Sequence, residues 1–141
     1  MTSPRDKVVD ATLALAASRD FSEATLSDIA HRAGISLADL RDLFPSKGAI
    51  IGGFTRRIDR QVLDALAGVN LTEPARDRLQ TVLTKRLEAL EPYRDAIASI
   101  VTWAKADPLI LSALNREIVN SMRYMLEAAD MESDGPVGAL K

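Results

Sequence analysis

The sequence has 141 residues, of which 47% are hydrophobic and 27% charged, and its formal net charge is −2 at pH 7. The absence of cysteine and the single histidine exclude disulfides, thiolate metal sites and multi-histidine metal sites. No apolar run approaches the roughly 20 residues of a membrane span. Because the start MTSPRDK is polar, we expect no signal peptide and a cytoplasmic protein.

Only helices are predicted along the chain. The first begins at the Ser3-Pro4 cap and runs to about Ser18, with an apolar face on one side. Asp20 follows it, and we expect a left-handed turn there, which Asp tolerates better than most residues.

The next segment, TLSDIAHRAGISLADLRDLFPSK, is the most informative part of the sequence. It contains two capping boxes, Thr25 with Asp28 and Ser36 with Asp39. Between them, Gly34 can take the left-handed conformation that ends a helix. This is the pattern of a helix-turn-helix, whose apolar residues can face one small core: Ile29, Ala30, Ile35, Leu40 and Phe44.

A fourth helix is predicted from the Ser46 cap to about Ala67, and Gly68-Val69-Asn70 is expected to end it. The Gly52-Gly53 pair inside this helix predicts either close helix packing or a flexible joint.

Three further helices are predicted after the fourth. The fifth is capped by Thr72, with Pro74 in its first turn. The sixth begins at Pro92, and the seventh runs from Asp107-Pro108 to about Ala129. Residues 131–136 are expected to form a loop, and Ser133-Asp134-Gly135-Pro136 within it has the pattern of another helix start.

The stretch VVDATLALAASRDFSEATLSDIAHRAGISLADLRDLFPSKGAII resembles the N-terminal domain of the TetR family of transcriptional regulators. The matching positions are Ala11, Leu15, Phe21, Thr25, Ile29, Ala30, Gly34, Ser36, Leu40, Phe44, Ser46 and Lys47. The resemblance implies an all-α, TetR-like fold. Residues 1–47 would form a three-helix DNA-binding domain and residues 48–141 a helical ligand-binding and dimerisation domain. Such proteins usually continue with two long helices not found here, so we expect either that the second domain is partial or that this protein departs from the family.

DNA recognition would fall to the third helix, whose N-terminal part can enter a major groove. Arg41 can reach a phosphate or a guanine edge, and Lys47 is placed for a phosphate at the start of the fourth helix. Asp39 and Asp42 add negative charge to the same face, and the alternative for Arg41 and Lys47 is a solvated surface charge. The candidate DNA-binding residues are Thr25, Ser27, Ser36, Leu37, Ala38, Arg41 and Lys47.

Apolar side chains of the fifth to seventh helices are candidates for a cavity that takes a hydrophobic small molecule. An ordinary packed core is the alternative. The candidate ligand-binding residues are Leu83, Leu87, Tyr93, Ile97, Trp103, Leu114, Ile118, Met122 and Met125.

Nothing in the sequence predicts catalysis, because it has no histidine triad, no paired carboxylates and no glycine-rich phosphate loop. We therefore expect no enzyme, no metal and no cofactor. The first hypothesis is a ligand-responsive, homodimeric regulator that binds double-stranded operator DNA.

Two other hypotheses remain open. The stretches LEALEPYRDAIASI and NSMRYMLEAADMESDGP are similar to the TetR-fold lipid-binding accessory proteins of ubiquinone biosynthesis. That resemblance implies a protein that binds an isoprenoid or acyl chain and does not bind DNA. The third hypothesis is an interaction module with an unspecified partner.

Overall fold

The computed structural model describes residues 2–67 and 72–129. This part of the chain is helical and has no strand, which confirms the all-α prediction. The helices are α1 Pro4–Ser18, α2 Leu26–Ala33, α3 Leu37–Leu43, α4 Lys47–Leu66, α5 Ala75–Leu90, α6 Arg94–Lys105 and α7 Pro108–Ala128. Two short 3₁₀ turns, Phe21–Glu23 and Glu91–Tyr93, precede α2 and α6.

Two sequence predictions lie outside the described residues: the end of the fourth helix at Gly68-Val69-Asn70, and the loop of residues 131–136 with its helix start at Ser133-Asp134-Gly135-Pro136. Within the described ranges, no helix combines the length and apolar character needed to cross a bilayer.

The chain divides into two compact units, and each is built from two separate stretches of sequence. The first comprises Met1–Phe54 and Tyr93–Asn115, and the second comprises Thr55–Pro92 and Arg116–Lys141. Both α4 and α7 begin in the first unit and end in the second. The predicted domain boundary between residues 47 and 48 stays a prediction. The two compact units cannot be separated by one boundary in the sequence, because each contains two stretches of chain.

The first unit combines the helix-turn-helix with α6. Helix α6 packs against α1 and against the 3₁₀ turn that follows it. Two of the three buried residues of α6, Ala96 and Ala104, have small side chains, which lets α6 approach α1 closely. The core residues are Val8, Val9, Ala11, Leu13, Leu15, Phe21, Ile29, Ala30, Leu40, Phe44, Ile50, Ala96, Ile100 and Ala104.

The second unit has a smaller apolar core drawn from α4, α5 and α7. Burying a Val, Leu, Ile or Met side chain in it contributes about 1.5–3 kcal/mol relative to leaving that side chain exposed. The core residues are Ile58, Val62, Leu66, Val82, Met125 and Ala129.

Most helix boundaries follow the predicted caps. The Ser3 hydroxyl accepts from the Asp6 amide at 3.1 Å, and the Ser46 hydroxyl accepts from the Ala49 amide at 3.1 Å. At α7, an Asp107 carboxylate oxygen accepts from the Leu109 amide at 2.9 Å. These bonds satisfy backbone donors that have no partner inside a helix.

Three local predictions are wrong. Thr72 does not cap α5; Pro74 occupies that position and supplies no side-chain hydrogen bond. Pro92 lies inside a 3₁₀ turn, and α6 begins two residues later at Arg94. Asp20 has φ of −61°, because its carboxylate accepts from the Ser22 amide and caps the 3₁₀ turn instead of taking a left-handed conformation.

The close-packing interpretation of the glycine pair in α4 is confirmed at Gly53. A Cβ placed there would lie 3.1 Å from Phe44 Cε1 and 3.6 Å from Val9 Cγ2. The 3.1 Å distance to Phe44 is shorter than an ordinary van der Waals contact, so the missing side chain allows α4 to pack closely on Phe44.

Candidate nucleic-acid interface

Helix α2 begins with a complete capping box. The Thr25 hydroxyl accepts from the Asp28 amide and the Asp28 carboxylate accepts from the Thr25 amide, both at 3.0 Å. Hydrogen bonds to the Asp28 carboxylate from the Thr25 backbone amide and side chain lower the pKa of Asp28, because they favour its charged form. Thr25 is predicted to contact DNA, and its hydroxyl is engaged in capping α2.

The turn between α2 and α3 is formed by Gly34, which has φ of 75°. The Ile35 amide donates to the Ala30 carbonyl at 3.0 Å, which is the closing bond of a Schellman motif. Ser36 then starts α3, its hydroxyl accepting from the Asp39 amide at 3.0 Å. The predicted Ser36 cap is confirmed, but the predicted Ser36–Asp39 box is not complete, because the structure shows no return bond from the Ser36 amide to the Asp39 carboxylate between these two residues.

The residues predicted to read DNA lie on the exposed side of this motif. Leu40 is 2% exposed and anchors α3 in the core, whereas Leu37 is 51% exposed. Ser27, Ala38 and Arg41 are also exposed, as are Asp39 and Asp42. Their assignment to DNA stays a prediction, and the structure makes them available for it.

Arg5 fixes the other end of α3, and the sequence reasoning missed it. Its guanidinium carbon lies 4.4 Å from the centre of the Phe44 ring. Its Nη1 donates to the Leu43 carbonyl at 3.0 Å, which satisfies one of the last carbonyls of the helix. No local signal predicts this contact, because the two residues are 38 positions apart.

Lys47 lies at the start of α4, as predicted, but its ammonium has protein partners. Nζ donates to the Phe21 carbonyl at 2.6 Å and to the Ala24 carbonyl at 2.8 Å. It also lies 4.2 Å from the centre of the Phe21 ring and 5.1 Å from that of Trp103. Burial lowers the pKa of Lys47, and the negative charge of Asp20 opposes that shift.

Helix α6 contacts the segment that leads into α2. The Phe21 amide donates to the Ser99 hydroxyl at 3.0 Å, and that hydroxyl donates to the Arg19 carbonyl at 3.2 Å. Trp103 meets the Phe21 ring edge-on, with ring centres 5.0 Å apart. Ser99 and Trp103 therefore hold the backbone whose carbonyl receives Lys47.

The predicted ligand-binding residues are divided between the two units. Tyr93, Ile97, Trp103 and Leu114 belong to the first unit, and the other five belong to the second. Those five are Leu83, Leu87, Ile118, Met122 and Met125.

Their environments differ as much as their locations. Trp103 and Tyr93 pack edge-on against Phe21 and Phe54, respectively. In the second unit, Leu87 is 67% exposed and Met125 is fully buried. The four side chains of the first unit are half-buried, and the five of the second unit range from exposed to fully buried. Their role in ligand binding stays a prediction.

A polar cluster interrupts the apolar core of the second unit. Ser121 is 1% exposed, and its hydroxyl donates to an Asp59 carboxylate oxygen at 2.5 Å. Arg86 donates from Nη2 to the same hydroxyl at 3.2 Å, and its Nε is buried without a hydrogen-bond partner. The signal for this cluster was Ser121 itself, a polar residue three positions after Ile118 in the apolar stripe of α7.

Comparison with known proteins places this geometry in a family. The family model of bacterial regulatory proteins, tetR family, matches residues 8–52. This chain carries a TetR-family helix-turn-helix domain. The matched TetR segment runs from the core of α1 through α2 and α3 into the first turns of α4.

Two curated relatives are named as HTH-type transcriptional regulators. The HTH-type transcriptional regulator AlkX of Mycobacterium tuberculosis is 30% identical over 115 residues, covering 78% of this chain and 46% of that protein. The HTH-type transcriptional regulator BetI of Brucella anthropi is 27% identical over 100 residues, covering 70% and 52%, respectively. The chain spans about half the length of these relatives.

A solved structure shows the same fold. The crystal structure of a TetR transcriptional regulator from Rhodococcus sp. RHA1 matches with a TM-score of 0.70 and 20% sequence identity. The match covers 97% of this chain and 75% of the other. The fold of this chain is therefore TetR-like along the second unit as well as the first.

Proposed function

We propose that this protein is a transcriptional regulator that binds an operator in double-stranded DNA as a homodimer. The observation that carries the proposal is the exposed face of α3, which presents Leu37, Ala38 and Arg41 while Leu40 fixes the helix in the core. A short helix held at both ends and exposed along one side fits a DNA major groove. Its relatives AlkX and BetI bear regulator names, which supports the same function over lipid binding alone.

The side chains on the exposed face of α3 suit a DNA site that is recognised through a few base contacts. Arg41 can donate two hydrogen bonds to one guanine, and Leu37 can contact a thymine methyl group. Asp39 and Asp42 repel phosphates, and the net charge of −2 gives no general attraction to DNA. Selectivity should therefore depend on local base contacts more than on a strong electrostatic background.

The test is fluorescence anisotropy with labelled DNA from the protein's own upstream region, at several salt concentrations and against scrambled competitor. We expect tight, sequence-selective and salt-dependent binding. Arg41→Ala should weaken it by roughly 5- to 150-fold, the effect of losing one specific arginine contact worth about 1–3 kcal/mol. If Arg41 contacts a phosphate instead of a base, the salt slope should fall by about one.

Arg116→Ala is the matched control, because Arg116 is exposed on α7 in the second unit and its loss removes the same charge. It should leave the affinity and salt slope unchanged. Equal binding of scrambled DNA by the unmodified protein, or equal losses in R41A and R116A, would contradict the proposal.

We propose further that a hydrophobic small molecule regulates this DNA binding from the second unit. The support is its apolar core with one buried polar residue, Ser121, which bonds to the half-buried Asp59 and Arg86, since apolar sites with few polar contacts suit such ligands. The anisotropy experiment is repeated with a straight-chain fatty acid and an isoprenoid alcohol. Release of DNA by either supports regulation; binding of either by a protein without selective DNA affinity favours the lipid-binding hypothesis.

A further inference from the structure

We propose that Lys47 is a positioning residue that closes the helix-turn-helix from the inside, and that it does not bind a DNA phosphate. The inference rests on the proposed DNA binding, which it refines by removing the most obvious phosphate ligand from the interface. Its basis is the set of contacts around the Lys47 ammonium in the first unit.

The first argument is that two of the three donors of the Lys47 ammonium are already used. An ammonium has three N–H donors, and two of them are directed at the Phe21 carbonyl at 2.6 Å and the Ala24 carbonyl at 2.8 Å. Neither carbonyl belongs to an α-helix, since Phe21 begins the 3₁₀ turn Phe21–Glu23 and Ala24 follows it. Charge-assisted bonds of this length are the stronger kind, so moving Nζ to a phosphate would leave two carbonyls without this donor.

The second argument is the surface that covers the ammonium. Nζ lies 4.2 Å from the ring centre of Phe21, which is fully buried, and 5.1 Å from that of Trp103. Two aromatic faces stabilise a cation that is partly removed from water. Burial lowers the pKa of this amine, consistent with a group that faces the protein.

The third argument is where the contact lies in the chain. Ala24 immediately precedes the α2 cap Thr25, and Lys47 is the first residue of α4, immediately after the α3–α4 connection. One side chain therefore joins the two ends of the helix-turn-helix. Because α3 is tied at its own ends by Ser36 and Arg5, fixing the ends of the whole motif also fixes the direction in which α3 presents Arg41.

The test compares Lys47→Met, Lys47→Arg and Arg41→Ala by DNA anisotropy over a range of salt concentrations. Methionine keeps an apolar stem and removes the charge, whereas arginine keeps the charge and its donors. A positioning role predicts that K47M weakens selective binding roughly tenfold, in the range of losing charge-assisted hydrogen bonds, while the salt slope stays at the wild-type value. It also predicts that K47R recovers part of the lost affinity.

A second readout needs no DNA. Trp103 is the single tryptophan of the chain, so intrinsic fluorescence reports the environment beside Lys47. We expect K47M to shift the Trp103 emission of the free protein, while Lys105→Met, an exposed lysine on the same helix as Trp103, leaves it unchanged. Far-UV circular dichroism of each variant confirms that it is folded before it is compared.

A fall of about one in the salt slope of K47M would overturn the inference, because that is the signature of one lost phosphate contact. An unchanged Trp103 emission in folded K47M would overturn it as well. If the unmodified protein binds no DNA selectively, the proposed function fails, yet a Trp103 shift in K47M with partial recovery in K47R would still support the contact and its structural part.

Discussion

The backbone of Gly34 is in the left-handed region, with φ of 75°, and no atom lies within 4 Å of where its Cβ would be. A side chain there would meet no clash, so only the backbone conformation opposes it. Glycine is required because other L-residues pay about 1 kcal/mol or more in this region. At the scale of single residues, the turn of the helix-turn-helix depends on this one conformational preference.

We therefore predict that Gly34→Ala destabilises the protein by about 1 kcal/mol. Gly48→Ala is the matched control, because Gly48 lies in the first turn of α4 and its Cβ would make only an ordinary contact at 3.7 Å from Ser46 Oγ. It should stabilise the protein by about 0.5–1 kcal/mol through helix propensity. Urea denaturation gives both values, and equal shifts in the two variants would contradict the argument.

Helix α2 illustrates the scale of the element. It spans only Leu26–Ala33, and isolated helices of that length are unstable in water. Its ends are held by the reciprocal Thr25–Asp28 box and by Gly34, while Ile29 and Ala30 face the core. This eight-residue helix is stable because its ends are capped by neighbouring residues and one of its faces is buried in the core.

The capping box makes the stability of this motif dependent on pH. Hydrogen bonds from Thr25 lower the pKa of Asp28 below its ordinary value of 3.8. Its contribution is therefore complete above pH 3.8 and is lost as the pH falls through the lower, folded-state pKa. Asp28→Asn keeps an acceptor for the Thr25 amide but cannot titrate, so we expect its stability to decline less on acidification than that of the wild type.

Thermal unfolding followed by circular dichroism between about pH 5 and pH 2 measures this difference, since linkage predicts a slope only where protonation differs between states. Asp42→Asn, on the exposed side of α3, removes the same charge without touching the cap. If D28N and D42N change the acid profile equally, the box is not the cause.

At the scale of the whole molecule, two units share two continuous helices. Both α4 and α7 start in the unit that holds the helix-turn-helix and end in the other. If the half of such a helix in one unit unfolds, the half in the other unit loses backbone hydrogen bonds where the two halves meet. Because helix formation is cooperative and chains of this size usually unfold in one step, we expect the two units to unfold together.

Met125→Ala tests this cooperativity. Met125 is fully buried in the second unit, and its truncation should cost about 2–5 kcal/mol. Trp103 emission reports the first unit and far-UV circular dichroism reports all helices, and we expect both transitions to shift by the same amount. Leu87→Ala, at a side chain 67% exposed, should change stability by less than about 0.5 kcal/mol. A shift in circular dichroism alone would show that the units unfold separately.

Sequence by itself determined the features that depend on neighbours a few residues apart. The Thr25–Asp28 box, the Ser36 cap, the left-handed Gly34 and the start of α7 at Asp107-Pro108 all arise from one turn of chain, and the structure confirms them. The apolar stripe also placed Leu40 inside and Leu37 outside. Family-specific spacing then identified the TetR-like motif.

Tertiary structure alone decided which distant groups meet. Lys47 reaches Phe21 across 26 positions, Arg5 reaches Leu43 across 38, and Ser121 reaches Asp59 across 62. A periodic apolar stripe shows that a helix is buried on one face but not against which partner, so the packing of α6 against α1 in the first unit could not be predicted. A long cationic side chain is equally ambiguous, because its charge suits a phosphate or a backbone carbonyl, and only the packing of Phe21 and Trp103 around Lys47 selects the carbonyls.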